Sequence, residues 1–170
     1  EKIICDFISS SDKEFKYIIA PHNIDKSHIK EIEKLLGETS TNFIKYSEAT
    51  QENISQHTIL IIDNIGILAD VYQYTDIAFI GGGFKNSLHN VLEPASYGNV
   101  IMFGKNHSKF HEAEDLINEN AAYEISYTDD LIAAVNHLLI DDRLITAKNA
   151  AKNYITKGIG ATDKIIEKLN

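Results

Sequence analysis

Cysteine and proline are scarce in this sequence of 170 residues, and apolar runs are short. Cys5 is the only cysteine, so an internal disulfide is excluded and a reducing compartment is expected. Two prolines and no low-complexity run leave no segment typical of an interdomain linker. No apolar run approaches the ~18 to 20 residues of a transmembrane helix, and no signal peptide is visible. Residues 1–170 are therefore predicted to form a single domain.

Positive charge is also in short supply. Sixteen Lys and Arg residues face 25 Asp and Glu residues, which gives a formal net charge of −9. A nucleic-acid-binding protein normally carries a basic patch, so this balance argues against one, and it gives no support for docking on anionic lipid. The apolar content of 44% is ordinary for a globular protein.

Short apolar runs alternate with segments of helical periodicity along the whole chain. The predicted strands are 17–20, 42–46, 58–62, 77–80, 100–103 and 122–125. The predicted helices are 27–36, 65–74, 90–97, 108–118, one from Thr128, 141–156 and 161–169. The first 16 residues support no assignment. Strands alternating with helices predict an α/β fold with one doubly wound, mostly parallel sheet.

Two of these helices carry more detailed predictions. Ser27 is expected to cap its helix, which Gly37 ends in the usual position just after the last turn. The helix from Ile65 to about Tyr74 is expected to turn Ile65, Leu68, Ala69 and Tyr72 toward the core.

The stretch from Asp76 to Gly104 is the most informative part of the sequence. A buried strand is followed at once by three glycines, Gly81 to Gly83, and then by a short helix and a second strand. This is one βαβ unit, and its glycine turn lies at the carboxyl end of a strand, where open α/β sheets bind ligands. The glycines fit neither the Rossmann G-x-G-x-x-G pattern nor the P-loop pattern. A plain turn therefore remains the alternative for Gly82 and Gly83.

The residues that open the following helix have the chemistry to hold a nucleotide. Asn90 and Glu93 are three residues apart and share the first turn of the predicted helix. A carboxylate there can accept hydrogen bonds from a ribose diol, while Asn90 and backbone amides hold a phosphate. The alternatives are that Glu93 only complements the helix dipole and that Asn90 is an N-cap, which is compatible with ligand binding. His89 is equally well explained as a structural residue.

This stretch resembles the donor-binding segment of GT-B glycosyltransferases, and most of all that of 3-deoxy-D-manno-octulosonic acid (Kdo) transferases. The family pattern is a strand ending A-F-x-G-G, a loop, H-N-x-L-E-P-A, a glycine and a strand ending F-G. The matching residues are Ala78-Phe79-Ile80-Gly81-Gly82, His89-Asn90-Val91-Leu92-Glu93-Pro94-Ala95, Gly98 and Phe103-Gly104. The resemblance extends more weakly over most of the chain.

The resemblance implies a donor site built from three strand-to-helix turns that meet at one sheet edge. Its expected residues are Pro21, His22, Asn64, Ile65, Gly66, Gly82, Gly83, Lys85, His89, Asn90, Val91, Leu92 and Glu93. The turn at 64–66 would hold the base, and residues 90–93 would hold phosphate and ribose. His22 departs from the family, which usually has an arginine there, and Lys85 is a candidate to replace the lost charge.

The implied protein is the C-terminal, CMP-Kdo-binding half of a Kdo transferase that acts in lipopolysaccharide synthesis. Its acceptor would be a lipid A precursor, at the cytoplasmic face of the bacterial inner membrane. The general base and the membrane contact are expected on an N-terminal domain that this chain lacks, so the chain alone is expected to be inactive. No metal or other cofactor is expected. The alternatives are a UDP-sugar GT-B enzyme, of the epimerase or N-acetylglucosaminyl transferase type, and a non-catalytic nucleotide-binding module.

Overall fold

The chain folds into alternating strands and helices, and a computed structural model describes residues 2–39, 41–84 and 87–158. It divides into two compact units, Glu1–Val71 and Tyr72–Asn170. Lys85 and the predicted helix at 161–169 lie outside the described residues. Within the described part, no helix is both long enough and apolar enough to span a membrane.

The first unit contains a parallel three-stranded sheet in which β3 lies between β1 and β2. Its elements are α1 (Lys2–Ser10), β1 (Tyr17–Ile19), α2 (Lys26–Gly37), β2 (Phe43–Lys45), β3 (Ile59–Ile61) and α3 (Leu68–Val71). Ile19 and Lys45 both pair with Ile61, so the carboxyl ends of all three strands lie at one edge.

The core of the first unit follows from helical periodicity. Ile29, Ile32 and Leu36 recur at the i, i+3, i+7 spacing of one face of α2, and all three are buried. They pack in one cluster with Ile59 and Ile61 of the central strand. Burying a side chain of this size contributes about 1.5 to 3 kcal/mol, so this face of α2 anchors the helix to the sheet.

The second unit contains another parallel three-stranded sheet, with the order β4-β5-β6. Its elements are β4 (Ile77–Ile80), α4 (Leu92–Ser96), β5 (Val100–Gly104), α5 (His111–Asn118), β6 (Ala122–Ile125), α6 (Thr128–Leu138) and α7 (Arg143–Gly158). All five residues of β5 are buried. An unbroken apolar run is what a central strand covered on both faces requires.

A buried asparagine joins three elements of this unit. The Asn99 side chain is fully buried, and its Nδ2 donates to the carbonyl oxygens of Tyr72 at 2.9 Å and Pro94 at 3.3 Å. Its Oδ1 is bonded to the hydroxyl of Thr75. The start of β5 is thus tied both to α4 and to the turn before β4. Buried polar groups satisfied in this way hold chain segments in one arrangement.

The predicted α/β fold with parallel strands is confirmed. The six described strands are hydrogen-bonded in two three-stranded sheets, one in each unit. The strand at 122–125 and the helix start at Thr128 have their predicted bounds. The single domain expected over residues 1–170 stays a prediction.

The helix predicted from Ile65 is wrong in its start and in part of its buried face. α3 begins at Leu68, and Ile65 is 85% exposed. The reason is Gly66, whose φ of +92° is left-handed and cannot continue a right-handed helix. Leu68 is also exposed, so neither Ile65 nor Leu68 joins the core, whereas Tyr72 packs against the core of the second unit, as predicted.

Other helix boundaries also differ from the prediction. α2 begins at Lys26 with Asp25 at its N-cap position, so Ser27 lies inside the helix, and Gly37 is its last helical residue. α4 is shorter than predicted, and α5 begins at His111. Ends of helices are the least reliable feature of a periodicity argument, because only the buried face is periodic.

Candidate functional site

The glycine loop, Gly81 to Gly83, follows β4 directly, and its second and third positions have no room for a side chain. Gly82 has a φ of +91°, and a Cβ placed there would lie 1.9 Å from the carbonyl oxygen of Ser87. Any side chain at this position would therefore collide with backbone. The loop also receives a hydrogen bond at Gly81, whose carbonyl oxygen accepts from the His89 N–H at 3.2 Å.

Gly83 lies against Gly104, the last residue of β5, and we call this contact the glycine seam. A Cβ on Gly83 would lie 2.6 Å from the Gly104 oxygen, and a Cβ on Gly104 would lie 2.6 Å from the Gly83 carbonyl carbon. Two backbones can approach this closely only where both residues lack side chains. The Asn106 N–H adds a hydrogen bond to the Gly83 oxygen at 2.8 Å. The ends of β4 and β5 are thereby joined.

Asn90 caps α4 from two residues before its first helical position. Its Oδ1 accepts from the N–H groups of Leu92 at 3.0 Å and Glu93 at 3.4 Å. This confirms the capping alternative for Asn90. With the oxygen directed at the helix, the Nδ2 donors lie on the other side of the amide group.

Glu93 is half-buried in the first turn of α4. Its charge reaches Tyr72: burial raises the pKa of the Tyr72 phenol, and the Glu93 carboxylate raises it further. Val91 and Pro94 beside it are buried and Leu92 is exposed, as expected for a short helix with one face packed against the protein. Of the predicted site residues on α4, Leu92 therefore faces solvent, and Glu93 does so in part.

His89 lies over the glycine loop. A Cβ on Gly81 would meet the His89 Nδ1 at 3.5 Å, and one on Gly82 would meet its Cδ2 at 3.0 Å. His89 and Asn90 are both exposed. The second unit thus brings together the predicted residues Gly82, Gly83, His89, Asn90, Val91, Leu92 and Glu93.

The first unit holds the other predicted turns. Pro21 and His22 follow β1, and Asn64, Ile65 and Gly66 follow β3. Because β1 and β3 are parallel neighbours, these two turns lie at the same sheet edge. That all three predicted turns form one site stays a prediction, as does the role of Lys85.

Asp63 fixes the turn after β3. Its carboxylate accepts from the Ser47 N–H at 2.9 Å and the Ser47 hydroxyl at 2.5 Å, which ties the end of β3 to the end of β2. Burial raises the pKa of Asp63, but the Ser47 hydrogen bonds and the Lys45 charge outweigh it and lower that pKa overall. Asp63 is thus an ionised anchor directly before Asn64 to Gly66.

An open groove of about 870 Å³ runs beside α4 in the second unit. Its lining includes Glu93, and at its far side Tyr154 donates to Asp115 at 3.0 Å and Lys157 pairs with Glu119 at 2.9 Å. Burial and the Asp115 hydrogen bond raise the pKa of Tyr154 to about 12. Asp115 and Glu119 are both paired with donors, and the third carboxylate of the groove is Glu93, on α4 itself.

His107 is a buried residue to which the sequence analysis assigned no role. No group of three or more metal-ligating side chains exists among the described residues. Instead, the buried His107 ring bonds through Nε2 to Glu124 of β6 at 3.0 Å. Neither this pair nor the Asp63–Ser47 pair could be found from one sequence, because each joins residues 16 or more positions apart.

The chain is an α/β protein with parallel strands, and it places a glycine loop, an exposed asparagine and a half-buried glutamate after the carboxyl end of β4, the edge at which open α/β sheets bind ligands. No family model matches the chain. A 3-deoxy-D-manno-octulosonic acid transferase of Chlamydia muridarum is 33% identical over 131 residues, which are 75% of this chain and 29% of that protein. A bifunctional glycosyltransferase/methyltransferase of Fusobacterium nucleatum is 28% identical over 126 residues, 72% of this chain and 19% of that protein.

The fold agrees with a solved structure from the same group. The C-terminal CMP-Kdo binding domain of WaaA from Acinetobacter baumannii superposes with a TM-score of 0.71 at 16% identity, over 91% of this chain and 80% of that one. The predicted resemblance to the Kdo transferases and to their C-terminal domain is confirmed. The chain spans less than a third of the length of the two curated relatives described here.

Proposed function

We propose that this chain is the donor-binding half of a Kdo transferase and binds CMP-Kdo. The observation that carries the proposal is the glycine loop placed beside the His89 to Glu93 segment, at the carboxyl end of β4. A relative at 33% identity with the name of a Kdo transferase supports the same donor.

The backbone of the glycine loop is proposed to contact the phosphate of CMP around Gly82 and Gly83, which carry no side chain. The first amides of α4 are occupied by the Asn90 oxygen. We therefore assign the phosphate contact to the Asn90 Nδ2 group and the loop backbone, in place of the helix amides that the sequence suggested. Donors fixed before reaction stabilise the charge that develops on the departing CMP.

Glu93 takes the ribose in this proposal. A carboxylate can accept from both hydroxyls of a diol, and Glu93 is held half-buried in the first helical turn. Contact of the nucleotide with Pro21-His22 and with Asn64 to Gly66 of the first unit stays a prediction.

The whole enzyme is proposed to transfer Kdo to a lipid A precursor at the cytoplasmic face of the inner membrane. The general base, the acceptor surface and the membrane contact are assigned to an N-terminal domain that this chain does not include. The chain alone is therefore expected to bind nucleotide weakly and to lack transferase activity.

Calorimetric titration with CMP, UMP and UDP tests the proposal, on the chain and on its Glu93→Ala variant. We expect a preference for CMP and a loss of about tenfold or more in affinity with Glu93→Ala, since hydrogen bonds to a charged acceptor contribute about 1.5 to 3 kcal/mol. The matched control is Glu114→Ala, an exposed glutamate on α5 outside the groove, which should bind as the parent does.

Each other outcome has a definite meaning. A preference for UDP would replace CMP-Kdo by a UDP-sugar donor and keep the site. CMP binding that survives Glu93→Ala would overturn the ribose assignment. Absence of any binding would contradict a donor site within this chain.

A further inference from the structure

His107 is the one described residue with a buried side-chain nitrogen that has no hydrogen-bond partner. The residue is 8% exposed, and its Nδ1 is without a partner among the described residues. Its other nitrogen, Nε2, is bonded to the Glu124 carboxylate at 3.0 Å. Most buried polar atoms are paired, and in His107 the paired atom is Nε2.

The two nitrogens of His107 therefore have different roles. A carboxylate accepts hydrogen bonds, so Nε2 must carry the proton and donate. The edge of the ring also packs on Phe103 of β5, with the ring centres 5.1 Å apart. Nε2 is the atom that fixes the ring by a hydrogen bond, and Nδ1 forms no hydrogen bond with the described residues.

The segment that carries His107 is the same one that holds the glycine loop. It begins at Gly104 of the glycine seam and includes Asn106, whose N–H donates to Gly83 at 2.8 Å. His107 follows directly. Its bond to Glu124 reaches β6, on the far side of β5 from β4. A hydrogen bond at this point holds the segment to the sheet from the side opposite the glycine loop.

We propose that His107 is a positioning residue of the donor site. Through Nε2 and Glu124 it holds residues 104–107 in place, and these residues hold Gly83 through the glycine seam and the Asn106 bond. The part of this inference that concerns nucleotide affinity rests on the proposed function. The part that concerns the loop does not.

Two amide variants separate the nitrogens. In His107→Gln the side-chain nitrogen can reach the position of Nε2, and in His107→Asn it can reach only that of Nδ1. We expect amide hydrogen exchange at Asn106 to speed up by about tenfold in His107→Asn and to remain near the parent rate in His107→Gln. The Ala121 amide, bonded to Leu116 at 2.8 Å at the other end of β6, is the internal reference and should not change.

The affinity for CMP is the second readout. We expect the dissociation constant to rise about fivefold to tenfold in His107→Asn and to recover in His107→Gln. Urea unfolding of each variant confirms that it is folded. If His107→Asn does not fold, Glu124→Ala removes the same hydrogen bond from a side chain that is 47% exposed.

The outcomes separate the two claims. Equal exchange at Asn106 in the Asn and Gln variants would overturn the role of Nε2. Faster exchange at Asn106 in His107→Asn with unchanged CMP affinity would show that His107 holds the loop but does not affect nucleotide binding. It would overturn the role of His107 in the donor site. If the parent chain binds no CMP, the proposed function fails, and the exchange rates still decide whether His107 holds the loop.

Discussion

Asn90 combines two chemical roles that a single substitution can separate. Its oxygen caps α4, and its Nδ2 group is assigned to the donor phosphate. Asn90→Asp keeps a capping oxygen and places a negative charge where the phosphate should bind. We expect this variant to retain its free energy of unfolding and to lose CMP affinity by about tenfold or more through charge repulsion.

Asn90→Ala is the companion variant. It removes the cap and should lower the free energy of unfolding by about 1 kcal/mol, as measured by urea denaturation. If Asn90→Asp binds CMP as well as the parent does, the phosphate does not contact this residue. Equal stability of the alanine variant would contradict the capping role.

Gly82 is the position where the backbone excludes any other residue. Its φ is +91°, and an added Cβ would lie 1.9 Å from the Ser87 oxygen. We expect Gly82→Ala to lower the free energy of unfolding by about 1 to 3 kcal/mol and to abolish CMP binding, because the loop must move. Gly37→Ala is the control: nothing lies within 4 Å of its Cβ position, so stability should stay the same or rise.

The sequence reveals residues whose type is itself unusual, and misses those whose importance depends on a partner. A run of three glycines before H-N-x-L-E-P-A identifies Gly82 and Asn90 directly. Asn99 and His107 are ordinary residues in the sequence, and their partners are set by which strands lie side by side. One sequence contains no information about that pairing.

At the scale of elements, the ends of β2 and β3 are joined by the carboxylate of Asp63, whose charge depends on pH. The pKa of Asp63 lies below its usual value, chiefly because the Ser47 hydrogen bonds outweigh the effect of burial. Because the pKa is lowered, the ionised carboxylate stabilises the folded state at pH values above its pKa in the unfolded chain, about 3.9. This stabilisation is lost as the pH falls through the pKa of the folded state.

The stability difference between the parent and Asp63→Asn should therefore be full near pH 7 and shrink below about pH 4. Urea denaturation across this range measures it. Asp12→Asn, at an exposed position of the same unit, is the control and should show no such difference. A difference that stays constant with pH would show that the charge of Asp63 is not the stabilising feature.

Element types were easier to predict than element ends. β6 and the start of α6 were predicted correctly, because an apolar run and a polar helix start adjoin there without ambiguity. The helix after β3 was predicted three residues too early, because Gly66 has a conformation that periodicity does not reveal. A glycine inside a helical pattern is compatible with a continuous helix or with a turn before the helix, and only its φ angle decides between the two.

At the scale of the whole molecule, net charge opposes the proposed ligand. The chain has a formal charge of −9, and CMP is an anion. Long-range repulsion is screened by salt, so the association rate of CMP should rise about twofold to fivefold between low and physiological ionic strength. NMR line shapes measure this rate.

Cytidine, which has the same base and ribose without the phosphate, is the control ligand. Its association rate should not depend on salt, since it carries no charge. A CMP association rate that falls with salt would show that a positive local field at the site prevails over the net charge of the chain.

The glycine seam has a mechanical consequence. Side chains can rotate to absorb a displacement, but the contact between Gly83 and Gly104 is backbone against backbone and has no such freedom. A ligand that shifts the loop after β4 must therefore carry the end of β5 with it. Substitution of either glycine should then change the backbone conformation of both loops, because the two residues can move only together.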